Sequence, residues 1–523
     1  MKGNDRSKML GYSALPVLLL LASVLHPAKA AAQMTSVGID CSQIHALGIM
    51  QQENLRAGRV LIECGLVRGG RPGTVDRQPV APPNIRVSNR PCSTAQSCTK
   101  SESMVWASTK NDQHVVVNYN DSNGTGSSYT GTSYSFDGGA HFKEIQPPPF
   151  SSGHGTNFGD PIVVFNSKLN EWFAGDLVSG CGGQGIGLWT STSGKTWVTG
   201  ACAHNNNADD RESMWVDNEP TSGKYGRMYI SWGDYSANGA TSVIHSDDGV
   251  TWSAPVRLNS GNPFIRDVQI TGSPAGAPRF EGSNSTVFVA GMDEGGGSCN
   301  TRQNLMYKSL DGGVTWTSSI MSARFKPICD GLCDNPYFAK VNPIIRHMGW
   351  GEPGVGPNGV VHYAYAGLGK GSDPGDIFYQ RSADNGKTWS KPIKLNTDKD
   401  AAFKSQWMPS LSVDLSGKVT VSWYDRRKAT AACNVPTDPG CKYERVGRQS
   451  SDNGASFLPE FAISTALISQ PDQQDPTVQA CYAGDYDYNT ALNGNAFVTW
   501  TDGRRSVAGT HVQDVEFAKV PLP

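Results

Sequence analysis

The sequence predicts an all-β chain assembled from repeated units, on three observations. The 523 residues include 59 Gly and 31 Pro, and short β-type runs lie between clusters of turn residues. A short phrase, Ser-x-Asp-x-Gly-x-Thr-Trp at its fullest, recurs six times. Its closing aromatics stand at 142, 197, 252, 316, 389 and 457, so successive copies are 55 to 73 residues apart. Self-similarity at such a period marks an array of identical supersecondary units.

Ser309, Asp311, Gly313, Thr315 and Trp316 form one complete copy, and Ser382, Asp384, Gly386, Thr388 and Trp389 another. Weaker copies end at Phe142 (with Ser135, Asp137 and Gly139), at Trp252 (with Asp247, Gly249 and Thr251) and at Phe457 (with Ser450, Asp452 and Gly454). The remaining copy has Thr192 in place of the carboxylate but keeps Gly194, Thr196 and Trp197. The chemistry is that of a tight hairpin turn. A short Asp or Ser side chain accepts hydrogen bonds from backbone N–H groups a few residues on, Gly supplies an uncommon φ, and the aromatic packs under the turn.

This phrase resembles the Asp-box, or bacterial neuraminidase repeat, of the sialidase superfamily. In that family the box joins the third and fourth strands of a propeller blade, on the face away from the active site. The resemblance implies a β-propeller whose boxes are architectural and whose chemistry lies on the other face.

With each box as a ruler, the sixth unit reads as strands at Pro409 to Asp414, Lys418 to Tyr424, Tyr443 to Ser450 and Phe457 to Ile463. Three further strands follow without a box: Ala483 to Tyr488, Asn495 to Trp500 and Asp514 to Val520. A blade left one strand short exposes an edge. Asn84 to Ser88, extended in pattern and just before the first unit, supplies the missing outer strand. The expected fold is therefore a seven-bladed propeller closed by both termini, with a six-bladed ring, as in sialidases, as the alternative. A helix-compatible stretch from Cys41 to Leu66 precedes it.

Residues 1–30 read as a signal peptide: Lys2, Arg6 and Lys8, an apolar run from Ala14 to Leu25, then Ala28-Lys29-Ala30. The run is too short to span a membrane, and no Cys follows the cleavage point to carry a lipid anchor. Residues 31–82 form an N-terminal helical cap and linker, and 83–523 the propeller. Removing residues 1–30 takes away four basic residues and one acid, moving the net charge from −2 to −5. That balance offers no electrostatic case for nucleic acid. A secreted or periplasmic location follows, and the chain is read as a monomer. Twelve Cys in an exported chain favour disulfides. The expected pairs are Cys92–Cys98, Cys433–Cys441, Cys41–Cys64 and Cys181–Cys202, with Cys299, Cys329, Cys333 and Cys481 left unassigned.

Candidate site residues lie on the face opposite the boxes. Most second strands end in an acid: Asp121, Asp176, Asp234, Asp293, Asp425 and Asp502. Such recurrence reads first as a blade feature, a carboxylate capping its own loop. Two copies of Trp-x-Asp-x-Arg, at Trp423 to Arg427 and Trp500 to Arg504, set an Arg two residues after the Asp. Arg211, Arg266, Arg346, Arg427 and Arg504 are the candidates for gripping an anionic sugar, because a guanidinium fork matches a carboxylate. Glu212, Asp425 and Tyr486 are the candidate catalytic groups. Sialidases carry an Arg-Ile-Pro phrase near their start; this chain has Ile85-Arg86-Val87-Ser88 there, without the Pro, and no Tyr–Glu pair assignable by motif. Asp485-Tyr486-Asp487-Tyr488-Asn489 alternates oxygen ligands as calcium loops do, but lacks the Gly and distant Glu of an EF-hand. No cofactor is expected, with calcium as the one alternative. The leading function is a sialidase-like glycoside hydrolase acting on a terminal or anionic sugar of a glycan. A non-catalytic glycan- or protein-binding propeller and a polysaccharide lyase are the rivals.

Overall fold

The computed structural model describes residues 34, 39–44, 63–66, 81–90, 98–122, 128–146, 149–274, 286–332, 337–341, 345–431, 433, 441–469 and 481–523. The chain divides into two compact units, residues 1–76 and 77–523. In the first, Met34 bridges to Asp40, and a short 3-10 turn spans Cys41–Gln43. The Asp40 side chain caps that turn by accepting from Ser42 N at 2.9 Å. Cys41 is disulfide-bonded to Cys64. Most of the helix expected between Cys41 and Leu66 lies outside the described residues.

The second unit is a seven-bladed, all-β propeller. Six blades are antiparallel meanders of four strands in chain order, the first with a fifth, parallel strand at its inner edge. Their inner strands are Lys100–Ser108, Asn157–Asn166, Asp209–Val216, Ile265–Gly272, Glu352–Val355 and Gln406–Val413. Successive inner strands touch in order, and the seventh blade touches the first, so the ring is closed. Second strands such as Met228–Asp234 are buried along their whole length, whereas outer strands such as Thr317–Ile320 are largely exposed.

The seventh blade runs Thr490–Leu492, Asn495–Asp502, Asp514–Pro521 and then Ile85–Arg86 from the other end of the unit. Ile85 pairs with Phe517 and Arg86 with Glu516. The expected closure is therefore present, with one change. The inner strand is Thr490–Leu492, while Asp487–Tyr488 leaves this blade to pair in parallel with Ser103 and Met104 of blade 1.

Each recurring phrase is a turn between third and fourth strands. In the fourth blade Ser309 Oγ donates to Asp311 at 2.8 Å and accepts from Gly313 N at 2.8 Å, while Asp311 accepts from Thr315 N at 2.9 Å. The third-blade turn is one residue shorter between Ser246 and Gly249. The acid that takes the turn N–H groups is accordingly Asp248, not the expected Asp247, which pairs with Arg227 instead. Ser193 fills the same place in the degenerate copy.

The turn glycines also join the blades. A Cβ on Gly139, Gly194, Gly249, Gly313, Gly386 or Gly454 would meet a ring of the preceding blade: Phe517, His114, Phe173, Tyr229, Phe288 or Tyr379, respectively. The longest gap between phrases, from 316 to 389, holds an inserted sheet of Gly331–Leu332, Ala339–Val341 and Ile345–His347. Disulfides Cys181–Cys202 and Cys433–Cys441 are as expected, and Cys299 pairs with Cys329. Cys92 and Cys333 lie outside the described residues.

Gly249 and Gly494 have the same φ, +74°, but only Gly249 has a neighbour in the way, with Phe173 Cε1 2.2 Å from the Cβ position. Gly494→Ala should therefore cost only backbone strain, about 1 kcal/mol. Gly249→Ala should cost about 1–3 kcal/mol more, because the ring cannot withdraw without opening the blade joint. Equal losses of melting temperature in the two variants would refute a packing role for the turn.

Candidate functional site

The phrase-bearing turns occupy one face of the ring, and a cavity of 330 Å³ opens on the axis at the other. Glu102 and Asn120 of blade 1, Phe158 and Asp160 of blade 2, Asp210 and Arg211 of blade 3, and Arg266 of blade 4 line it. The inserted sheet adds Phe338 and Arg346, and the segment before blade 7 adds Tyr482, Asp485 and Tyr486. A second axial cavity, of 150 Å³, lies toward the other face among Met104, Trp106, Met214, Trp215, Leu411 and Leu492. Its walls are largely apolar, with Glu352 as its one charged residue, and the convergence of several charges is in the first.

A repeated backbone device aims these charges. Inner strands of blades 1, 2, 3, 4 and 6 carry a register shift near the site face. Within those shifts Glu102, Asp160, Arg211, Asp267 and Met408 all have positive φ, from 48° to 102°. A bulge with a left-handed residue swings a side chain out of the alternation of the strand, at some conformational cost. Here it turns charged groups toward the axis.

The arginines are held firmly. Arg346 grips Asp485 with two donors, one of them Nε at 3.0 Å, and lies 4.7 Å above the Tyr482 ring. Arg266 makes a fork to Glu294, at 3.1 and 3.2 Å, and donates to Tyr235 at 3.2 Å. Trp350 underlies both Arg211 and Arg266, at 4.0 and 4.8 Å, and its indole N–H donates to Glu294 at 2.6 Å. Asn120 Nδ2 donates both to Glu102, at 2.6 Å, and to the Tyr482 hydroxyl, at 3.0 Å.

These contacts drive the acids apart. Burial, with the charge of Asp210 next, pushes the Asp160 carboxyl up to about 7. Burial and the charges of Asp160 and Asp485 raise Glu102 well above the carboxylate range, and burial also raises Asp210. Burial would raise Asp485 too, but Arg346, Arg211 and Arg266 outweigh it and hold that carboxylate below its ordinary value. Proton-holding acids and a firmly ionised one thus share a single cavity, the separation that acid–base chemistry uses.

Of the residues expected from sequence, Arg211, Arg266, Arg346 and Tyr486 come together here. Tyr486 stacks on Tyr488 with ring centroids 4.3 Å apart. Glu212 is fully buried and does not line the cavity; neither carboxylate oxygen hydrogen-bonds another residue, and burial raises its carboxyl well above the usual range. Asp425, Arg427 and Arg504 are not brought to the cavity. Asp425 takes the Trp423 indole at 3.0 Å and Arg427 at 2.5 Å, and Arg427 is shared with Glu460 at 2.7 Å. Arg504 is forked onto Asp502 and reaches Asn84 at 3.1 Å, on the closing strand. The proposed calcium alternation is also occupied: Asp485 by Arg346, and Asp487 by Tyr424, Ser103 and Arg445. Glu102 and Asp160 were missed. Asp160 has one signal in the sequence, an acid inside an otherwise uncharged inner-strand run, whereas Glu102 shares its strand with Lys100 and has none.

No family model and no curated protein matches the sequence. Among solved structures, the chain is similar to a Dyadobacter fermentans protein of unknown function, with 14% identity over 84% of this chain and 98% of that one, at a TM-score of 0.39. It is also similar to an ulvan lyase, with 10% identity over 83% and 96%, at 0.43. An intramolecular trans-sialidase from Ruminococcus gnavus shares 12% identity over 82% and 95%, at 0.38.

The raised Asp160 predicts a pH dependence of stability. Between its unfolded value near 4 and its folded value of about 7, the folded state holds a proton that the unfolded state has lost. Its contribution therefore falls as pH rises through that window. Asp160→Asn suits the left-handed backbone and removes the titration. The variant should gain melting temperature relative to wild type at pH 8 compared with pH 5. A difference that does not change with pH would contradict the assignment.

Proposed function

We propose that this chain is a secreted glycoside hydrolase of the sialidase-like, Asp-box type, acting on a terminal anionic sugar of a glycan. The observation that carries the reading is the cavity charge. Three guanidinium groups line the cavity, Arg346 gripping the firmly ionised Asp485 and Arg266 forked to Glu294, which does not line it, while Glu102, Asp160 and Asp210 are all pushed toward their neutral forms. An anionic ligand is therefore favoured, and increasingly so as Asp160 takes up its proton. Disulfides and the expected signal peptide support export, since such bonds persist in oxidising compartments. No helix among the described residues is long and apolar enough to cross a membrane.

In this reading Asp160 is the acid that protonates the leaving oxygen. Tyr482 is the nucleophile and Glu102, within hydrogen-bonding reach, receives its proton. Only ionised Glu102 can do this: burial makes it the stronger base but thins its ionised fraction, so the step gains as pH rises. Asn120, which touches both, fixes their orientation. A lyase reading draws on Arg346 above Tyr482, because a uronate eliminase needs a base beside a cation that neutralises the sugar carboxylate.

A screen on sialosides, uronate polymers and aryl glycosides tests both. Hydrolysis should be seen on an anionic terminal sugar and should fall by about 10²-fold or more in Asp160→Asn. Arg346→Lys keeps the charge but loses the fork, so KM should rise. Turnover with no loss in Asp160→Asn would overturn the assignment, and an unsaturated uronate product would establish the lyase instead.

A further inference from the structure

Two groups of metal-ligating side chains converge among the described residues. In the first, His154 with Cys181 and Cys202, both sulfurs are spent in a disulfide. The second is built of oxygen alone and lies in the site-face loops of blade 5. Asp373 follows the second strand, Val361–Gly367; Asp376 opens the third, Asp376–Ser382; and Asp400 follows the outer strand, Ile393–Lys394. One carboxylate oxygen from each of the three lies within 4.8 Å of the others. The loop after the outer strand reads Asn396-x-Asp398-x-Asp400, so a fourth acid stands beside them.

This cluster is short of positive charge. The Asp373 side chain is 0% exposed, its Oδ1 accepts from Gly375 N at 3.1 Å, and its Oδ2 has no hydrogen-bond partner. Lys394 Nζ sits 2.6 Å from both Asp376 and Asp400, but 3.8 Å from that orphaned Asp373 oxygen. Asn396 Nδ2 faces Asp376, Asp398 and Gln406 oxygens, each at 2.7 Å. An amide has two hydrogens, so three acceptors cannot all be served. Asp400, 41% exposed, leaves the cluster open to solvent, and Lys394 is itself 26% exposed there.

We propose that Asp373, Asp376 and Asp400, backed by Asp398, bind a hard divalent cation of the calcium class, and that Lys394 is a displaceable stand-in for it. The donor set contains no nitrogen or sulfur ligand suited to zinc or copper, and carboxylate oxygens suit calcium. The site lies outside the axial cavity and is independent of the reaction proposed there.

The test uses EDTA-treated full-length protein titrated with CaCl2, by calorimetry and thermal unfolding, with MgCl2 and ionic-strength-matched NaCl as controls. Wild type should bind one calcium ion and gain melting temperature. Asp376→Asn should weaken binding by about tenfold or more, because ligand charge sets affinity. If that variant fails to fold, Asp400→Asn, at the open rim, reports the same loss. Lys394→Met removes the competing ammonium and should tighten binding. No calcium uptake by wild type, or a Lys394→Met protein that is destabilised and not rescued by CaCl2, would show that the acids were assembled for the lysine and would overturn the proposal.

Discussion

The pairing of Ile85–Arg86 with Asp514–Pro521 is the constraint on which the rest of this protein depends. A propeller has no core apart from its blade contacts, so an open ring would lose its axis together with everything mounted on it. Arg86 Nε forms an ion pair with Asp514 at 2.8 Å, Ser88 also reaches that carboxylate, and Asn84 ties the strand to Ile463 O of blade 6 at 2.8 Å. Val87 is fully buried beside them. The clasp therefore covers the last exposed edge and fixes the spacing of the ring at once.

Closure at one level is repeated at the next. Each turn glycine seats against a ring of the neighbouring blade, so the joints between blades concentrate on one face. The opposite face is relieved of that duty and can carry irregular backbone. Five inner strands bulge there, and four of the left-handed residues they create are charged. Burying so many charges on an axis is tolerable because arginines, aromatic faces and protons share the compensation. Arg266 and Arg211 lean on one indole, Trp350, whose N–H in turn serves Glu294. The protonation states of Asp160, Glu102 and Asp485 are consequences of that packing and not properties of the residues alone.

The repeated turns and the closing strand were legible in the sequence. Ser309, Asp311, Gly313 and Trp316 satisfy one another within eight positions, so their pattern survives as a phrase. Even there, one deleted residue moved the role of Asp247 to Asp248. The Trp-x-Asp-x-Arg phrases were equally visible and equally local, which is why they proved to be closed units: Asp425 and Asp502 consume their own Arg427 and Arg504. A residue whose partner lies two positions away has little left for a distant ligand.

The sequence by itself determined the all-β class, the number of units, the turn between third and fourth strands and the strand that completes the ring, because the turns close on hydrogen bonds within a short stretch and counting strands against them leaves one edge uncovered. Only the tertiary structure decided which charges meet. Glu102, Asp160, Arg211, Arg266, Arg346, Tyr482 and Asp485 span nearly the whole propeller in sequence and converge only once the ring is closed. Their convergence turns on bulges, and a bulge is a mismatch between two strands that neither strand records alone.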